Sequence, residues 1–285
     1  MEAINIPDWG TFEQTVKELR AKYRSESSPL LFRGQSNSEW PLTTTLERSG
    51  AGRMLLSDYY RLICASMGPE VKTFAGVDVP EYDPKLCKPF LDPALLYEVG
   101  DIFPIRVYRY MAYLRHLGFP SPLLDWSRSP FVAAFFAFRD DHPGDKPEKR
   151  SVFVYCERPL GQKGGKIGEP YIRQIGPYVQ THERHFRQRC DYTICATFDR
   201  SYGWHFDSHQ DVFDRELPRQ DFLWKFDLPS SQRKKVLGVL NDYNLNAFSL
   251  FGSEESLLET MWFREHVLRQ RDPGGDGPSE ARGQT

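Results

Sequence analysis

The chain lacks the loops by which most nucleotide-binding proteins announce themselves: neither GxGxxG nor GxxxxGK[ST] occurs in its 285 residues. Cysteine is sparse. The five thiols, Cys64, Cys87, Cys156, Cys190 and Cys195, are odd in number and have no CxxC spacing, which argues against both a disulfide framework and a zinc ribbon. Cys190 and Cys195, five residues apart on one expected strand, should face opposite sides, and neither has a neighbour that favours the thiolate. No run of 18 apolar residues exists, and "MEAINIPDWGTFEQ" has no basic segment leading into an apolar one. A soluble, cytoplasmic protein without a membrane partner is the expectation. Charge of either sign is not in excess: the formal net charge is −2, too little positive field to hold a nucleic acid non-specifically. There is no internal repeat and no heptad run.

Aromatic residues, by contrast, are plentiful, with 20 Phe, 14 Tyr and 6 Trp for core, platform or pocket. Thr11 and Gln14 have capping-box spacing ahead of Phe12, Val16, Leu19 and Tyr23, so a helix is expected over 11–24. "LLFRG" reads as a short strand ending at Gly34. Residues 53–118 are mostly helical in pattern, interrupted by a proline- and glycine-rich excursion. Ser129-Pro130 is an N-cap and first-turn pair for "FVAAFFAF", apolar on every side and therefore a buried helix. "SVFVYCE", "DYTICATF" and "DFLWKFDL" read as strands. Ser230 opens a helix with Val236, Leu237, Leu240 and Tyr243 on one face, and Ser253 opens another with Leu257, Leu258, Met261, Trp262 and Leu268. The pattern predicts an α+β fold, a single mixed domain with a central, mostly antiparallel sheet. Its parts are an N-terminal helix in 1–29, the main domain over 30–271 with a helical insertion at about 53–115, and a disordered tail at 272–285.

Four polar clusters call for a reason. Arg33, after Leu30, Leu31 and Phe32, presents a planar fork of donors at a strand end, either to a carboxylate of the fold or to a phosphate or carboxylate of a ligand that Gly34 admits to the backbone. Asp125, between Leu124 and Trp126 in "HLGFPSPLLDWSRS", needs a partner if buried: Arg33, Arg128 or the next turn. Ser127 and Ser129, with the free amides of the following helix, offer an anion or ribose contact. "THERHFRQRCDYT" gathers His182, His185 and Gln188, and "HFDSH" adds two histidines and Asp207, without a recognised metal spacing, so no metal is expected. Glu254 and Glu255 occupy a first helical turn, where the helix dipole accounts for them and a catalytic carboxylate is the alternative.

Together these clusters resemble the FRG domain, a family named for the motif present here as Phe32, Arg33 and Gly34. Its signature block looks like His116, Gly118, Pro120, Ser121, Pro122, Leu123, Leu124, Asp125, Trp126 and Ser127; "RQRCDYT" and "LFGSEESL" are similar to its later blocks, so that the resemblance extends over about 30–265. Pro122 stands where an arginine is usual, Ser121 and Ser127 replace threonines, and Arg189 with Cys190 replaces a glycine. The family is found in bacterial and phage-related settings. A second likeness, in order alone, is to ADP-ribosyltransferases, which set an arginine on an early strand against NAD, a serine or threonine strand before a helix, and a late glutamate at the nicotinamide ribose. It implies Arg33, Ser127 or Ser129, and Glu254 or Glu255 in those roles, NAD as substrate, and modification of a protein target or toxic NAD depletion, as in defence.

Three readings follow. The enzyme reading requires Arg33, His116, Asp125 and a late glutamate to converge on one aromatic-lined pocket, with Phe32, Gly34, Gln35, Trp126, Ser127, Ser129 and Gln188 as ligand contacts. A non-catalytic module would bind a nucleotide or phosphorylated ligand in the same pocket. Nucleic-acid processing, from the interleaved basic and aromatic residues of "RQIGPYVQTHERHFRQR", comes last.

Overall fold

A computed structural model describes residues 3–23, 28–93, 102–140, 147–176 and 183–269. The expected tail therefore lies outside the described residues, as does His182. Among the described residues eight strands form one sheet: β1 (Ala3–Asn5), β2 (Leu31–Gln35), β3 (Leu124–Ser127), β4 (Lys149–Cys156), β5 (Tyr171–Gln174), β6 (Cys190–Asp199), β7 (Gly203–Phe206) and β8 (Phe222–Pro229). Their order is β1-β8-β4-β2-β3-β6-β5, with β7 also on β6. The β1/β8 pair is parallel and the others antiparallel, so the fold is the expected α+β with a mostly antiparallel sheet. The helices are α1 (Trp9–Lys22), α2 (Thr45–Arg48), α3 (Leu56–Arg61), α4 (Gly68–Ala75), α5 (Ile105–His116), α6 (Pro130–Arg139), α7 (Glu183–Arg187), α8 (His209–Phe213), α9 (Arg233–Asp242), α10 (Ala247–Phe251) and α11 (Glu254–Trp262).

The ladders are uneven, and that places the site. β4 and β8 share eight register pairs and β2 and β4 share five, whereas β2 and β3 meet at one, Phe32 opposite Ser127. The sheet thus consists of two well-stitched halves that part beyond a single pair. Burial explains why each half holds. Along β4, Val152, Val154 and Cys156 pack with α1, α6 and α9, while Phe153 and Tyr155 face a second apolar layer with Leu31 and Trp126. Both faces being covered, β4 is buried from Arg150 to Cys156, which is why "SVFVYC" reads as a continuous apolar run. The other half carries the helical insertion, whose Tyr59, Ile63, Val107 and Met111 pack on Tyr192 and Ile194 of β6. Cys190 joins that insertion core and Cys195 the opposite layer, as their odd spacing requires.

Helix α6 lies unusually close to β2. A Cβ built at Gly34 would stand 1.9 Å from the Ala133 carbonyl oxygen and 2.6 Å from the Ala137 amide nitrogen. Glycine on the strand and alanines on the helix therefore make the close approach possible. Gly34 is not among the residues with positive φ, and the space of its missing side chain is taken by α6.

Other expectations also change. Helix α1 is capped by Asp8, which accepts from the Thr11 amide, rather than by a Thr11–Gln14 box. The apolar residues of the last helix are largely uncovered: Leu258, Met261 and Trp262 of α11 are more than half exposed, and Tyr243 after α9 is likewise exposed. Ser253 does open α11, through a capping box with Ser256. Among the described residues no helix is long and apolar enough to cross a membrane.

Candidate functional site

A cavity of about 710 Å3 occupies the parting between β2 and β3, within the size range of small-molecule sites. Its floor is the end of β2. Phe32 packs toward α6, so its neighbour Arg33 points to the opposite side and reaches across the parting. Arg33 Nη1 donates to Asp125 Oδ1 at 2.7 Å and to the Asp125 carbonyl oxygen at 2.9 Å. Arg115, from α5, donates to the same carboxylate oxygen through Nη2 and to Thr45 Oγ1 through Nη1 at 3.1 Å. Two guanidiniums thus share one carboxylate, leaving a local surplus of one positive charge.

This cluster is tied to the protein yet open to the cavity. The Arg33 side chain is 15% accessible and that of Asp125 43%. Arg33 Nε is buried without an acceptor, so the guanidinium retains unused donor capacity. Burial pulls Arg33 below its ordinary range, and Asp125 pushes back. Burial would likewise raise Asp125, but Arg115 and then Arg33 outweigh it and hold the carboxyl well below the usual range. Both groups remain ionised.

Around the pair the lining is of mixed sign. Arg33 and Arg48 supply cations, Glu47, Asp125 and Asp140 supply carboxylates, and Trp40, Trp126 and Phe136 supply aromatic surface. Trp126 is a core residue, buried, stacked on Tyr155 at 5.4 Å and bonded from Nε1 to Thr193 Oγ1 at 2.9 Å. Trp40, 44% exposed, is the aromatic with surface to offer. Gln35 donates from Nε2 to the Pro41 carbonyl oxygen at 3.3 Å, while its Oε1 is buried without a donor.

The remaining expected contacts divide. Phe32, Gly34, Gln35, Ser127 and Gln188 line the cavity, and Ser129 does not. Ser127 Oγ donates to the Gln188 carbonyl oxygen at 2.7 Å and accepts from the Ser129 amide at 3.0 Å, while Ser129 Oγ caps the Val132 amide. The first amides of α6 are therefore partly spent on their own serines. Gln188 reaches the Leu250 carbonyl oxygen at 3.3 Å.

Convergence on one pocket holds for Arg33 and Asp125 but not for His116, Glu254 and Glu255, which are outside the lining. His116 Nε2 lies 3.2 Å from Tyr192 Oη, which is 3.3 Å from His185 Nδ1, a chain on the insertion side of β6. Glu254 and Glu255 sit exposed in the first turn of α11; the Ser253 side chain lowers the Glu255 carboxyl. Of the groups considered for a metal, His185 is engaged with Tyr192 and Asp207 with Thr197 and Arg53. Sequence reasoning missed Arg115, Glu47, Arg48 and Trp40. Arg115 had the weakest signal: it adjoins His116, but one step along a helix turns the side chain by about 100°.

The fold is thus a mixed α+β sheet that parts around an arginine–carboxylate pair beside a cavity. Residues 28–146 match the family model of the FRG domain. The match includes Arg33, Glu47, Arg115 and Asp125 and ends at 146, well before residue 265, so Gln188, Glu254 and Glu255 are beyond it. No curated protein and no solved structure matches the chain.

Proposed function

We propose that the FRG domain binds a dinucleotide of the NAD class in the parting between β2 and β3. The observation that carries this reading is the mixed sign of the lining around Arg33. NAD joins a cationic nicotinamide ring through one ribose to an anionic pyrophosphate, which a second ribose links to adenine. A wall with two guanidiniums, three carboxylates and an exposed tryptophan offers complementary groups to each part. Arg33 and Arg48 suit the pyrophosphate, the carboxylates suit the pyridinium and ribose hydroxyls, and Trp40 suits a ring face. A plain polyanion would be drawn to a more uniformly basic surface, which disfavours nucleic acid.

Recognition is the part the geometry supports. ADP-ribosyl transfer driven by Glu254 or Glu255 is not supported, because both stand outside the lining. The test is titration calorimetry of the purified chain with NAD, beside incubation of labelled NAD with cell lysate to reveal a modified protein target. NAD binding lost in Arg33→Ala, with the melting curve retained, is the expected result. Absence of NAD binding by the wild-type chain, or equal binding by Arg33→Ala, overturns it.

A further inference from the structure

The lining contains three carboxylates, and they are not equivalent. Asp125 is neutralised by Arg33 and Arg115 and held well below the ordinary carboxylate range, so it is a poor proton acceptor. Asp140, just past the end of α6, is exposed at the rim. Glu47 is half-buried and fixed. Its Oε2 accepts from the Thr44 amide at 2.6 Å, and Thr44 Oγ1 accepts from the Glu47 amide at 3.1 Å, the two bonds of a capping box. That leaves Oε1 without a donor among the described residues. α2 is in turn braced from both sides: the Leu46 amide bonds the Ser121 carbonyl oxygen at 3.1 Å, and Arg115 bonds Thr45 Oγ1. A four-residue helix with a rigid carboxylate facing the cavity is more than capping requires.

We infer that Glu47 is the catalytic carboxylate of a nicotinamide-releasing activity in this cavity. The inference rests on the NAD reading above and adds turnover to it. In the step, the bond between ribose C1′ and the nicotinamide nitrogen breaks, and its electron pair goes to that nitrogen, cancelling the ring's charge. A water or acceptor hydroxyl oxygen forms the new bond to C1′, and its proton passes to Glu47 Oε1. While C1′ is electron-poor the same carboxylate stabilises it, and Arg33 holds the phosphates in place.

The experiment follows nicotinamide release by chromatography and NAD binding by calorimetry in the wild-type chain, Glu47→Gln and Glu47→Ala. The glutamine keeps an oxygen for the Thr44 amide, so a retained melting curve shows that the cap survives. Glu47→Gln is expected to lower release about 100-fold or more, in the range for loss of a general base, a loss larger than any accompanying fall in affinity. Added formate is expected to restore part of the activity of Glu47→Ala, which a purely structural role would not allow. Release by Glu47→Gln within fivefold of wild type overturns the role of Glu47. A wild-type chain that binds NAD without releasing nicotinamide overturns the activity and leaves the binding reading standing; one that does not bind NAD overturns both.

Discussion

Two ion clusters are built into this sheet, and they have opposite characters. At the parting, Arg33 and Arg115 share Asp125, with one positive charge to spare and 43% of the carboxylate side chain accessible. Across β4, Lys163 lies between Asp221 at 2.6 Å and Glu157 at 3.3 Å, and all three side chains are at most 4% accessible. The sealed cluster is saturated: Tyr155 Oη also donates to Asp221, the Gln174 amide to Glu157, and Lys163 to the Ile172 carbonyl oxygen. The open cluster keeps an unpartnered Nε on Arg33. Ionic residues alone therefore do not distinguish the two clusters; the open one lies beside a cavity.

Removing the cation from each cluster should separate the two roles. Lys163→Met leaves Asp221 buried without its cation and Glu157 with Arg158 alone, at 3.5 Å, and a loss of about 3–5 kcal/mol is expected by urea unfolding, the cost of breaking a buried pair. NAD affinity in whatever fraction folds should be unchanged. Arg33→Met leaves Asp125 with Arg115, so its unfolding loss should be the smaller of the two. Its NAD affinity should fall about 10- to 100-fold, the worth of about 1.5–3 kcal/mol in charged hydrogen bonds. Similar unfolding losses with unaltered affinity in Arg33→Met would erase the distinction.

These clusters also show what the sequence could and could not disclose. An arginine beside three apolar residues and an aspartate inside "LLDWS" needed partners, and pairing of Asp125 with Arg33 was among the options that burial leaves. "FVAAFFAF" gave its buried helix, and β4, β6 and β8 were legible from β-branched and aromatic content. Arg115, Glu47 and Trp40 were not legible, because nothing local distinguishes them: each acquires its place from the packing of α5, α2 and the 36–43 loop around a gap in strand pairing. The exposure of α11 was not legible for a related reason. Periodicity shows that Leu257, Leu258 and Met261 share a side of the helix; only tertiary packing shows that the side is left largely uncovered.

His209 connects the clusters and gives a smaller, pH-resolved test. It is fully buried, with Nε2 at 3.0 Å from Thr193 Oγ1 and Nδ1 unpartnered. Burial first, then the charge of Arg33 and more weakly that of Lys163, push its pKa down to about 3. In the unfolded chain a histidine takes up its proton near pH 6.5. Between those values the unfolded state binds the extra proton, so stability falls as pH falls, by about 1.4 kcal/mol per unit at most. Wild type should therefore lose more urea resistance than His209→Gln between pH 7 and 5, where few carboxylates titrate. Parallel pH profiles would mean that His209 is charged in the fold, and the two cations would then not bear on it as the geometry implies.

The smallest expected effect is none, and it tests the open cluster alone. Asp125 has its folded pKa depressed, so its contribution is present above the unfolded value near 4 and is lost only as pH falls through the lower folded value. Among the described residues no histidine lines the cavity, and the ionisable side chains on its wall are Arg33, Arg48, Glu47, Asp125, Asp140 and Cys190. Burial pushes the Cys190 thiol up to about 12, out of the physiological range. NAD affinity measured by calorimetry should accordingly stay flat from pH 8 to 6. An apparent pKa inside that window, absent from Asp125→Asn, would mean that Arg33 and Arg115 do not hold the carboxylate charged. The cluster would then be a loosely paired surface group, and the contrast with the sealed cluster would rest on burial alone.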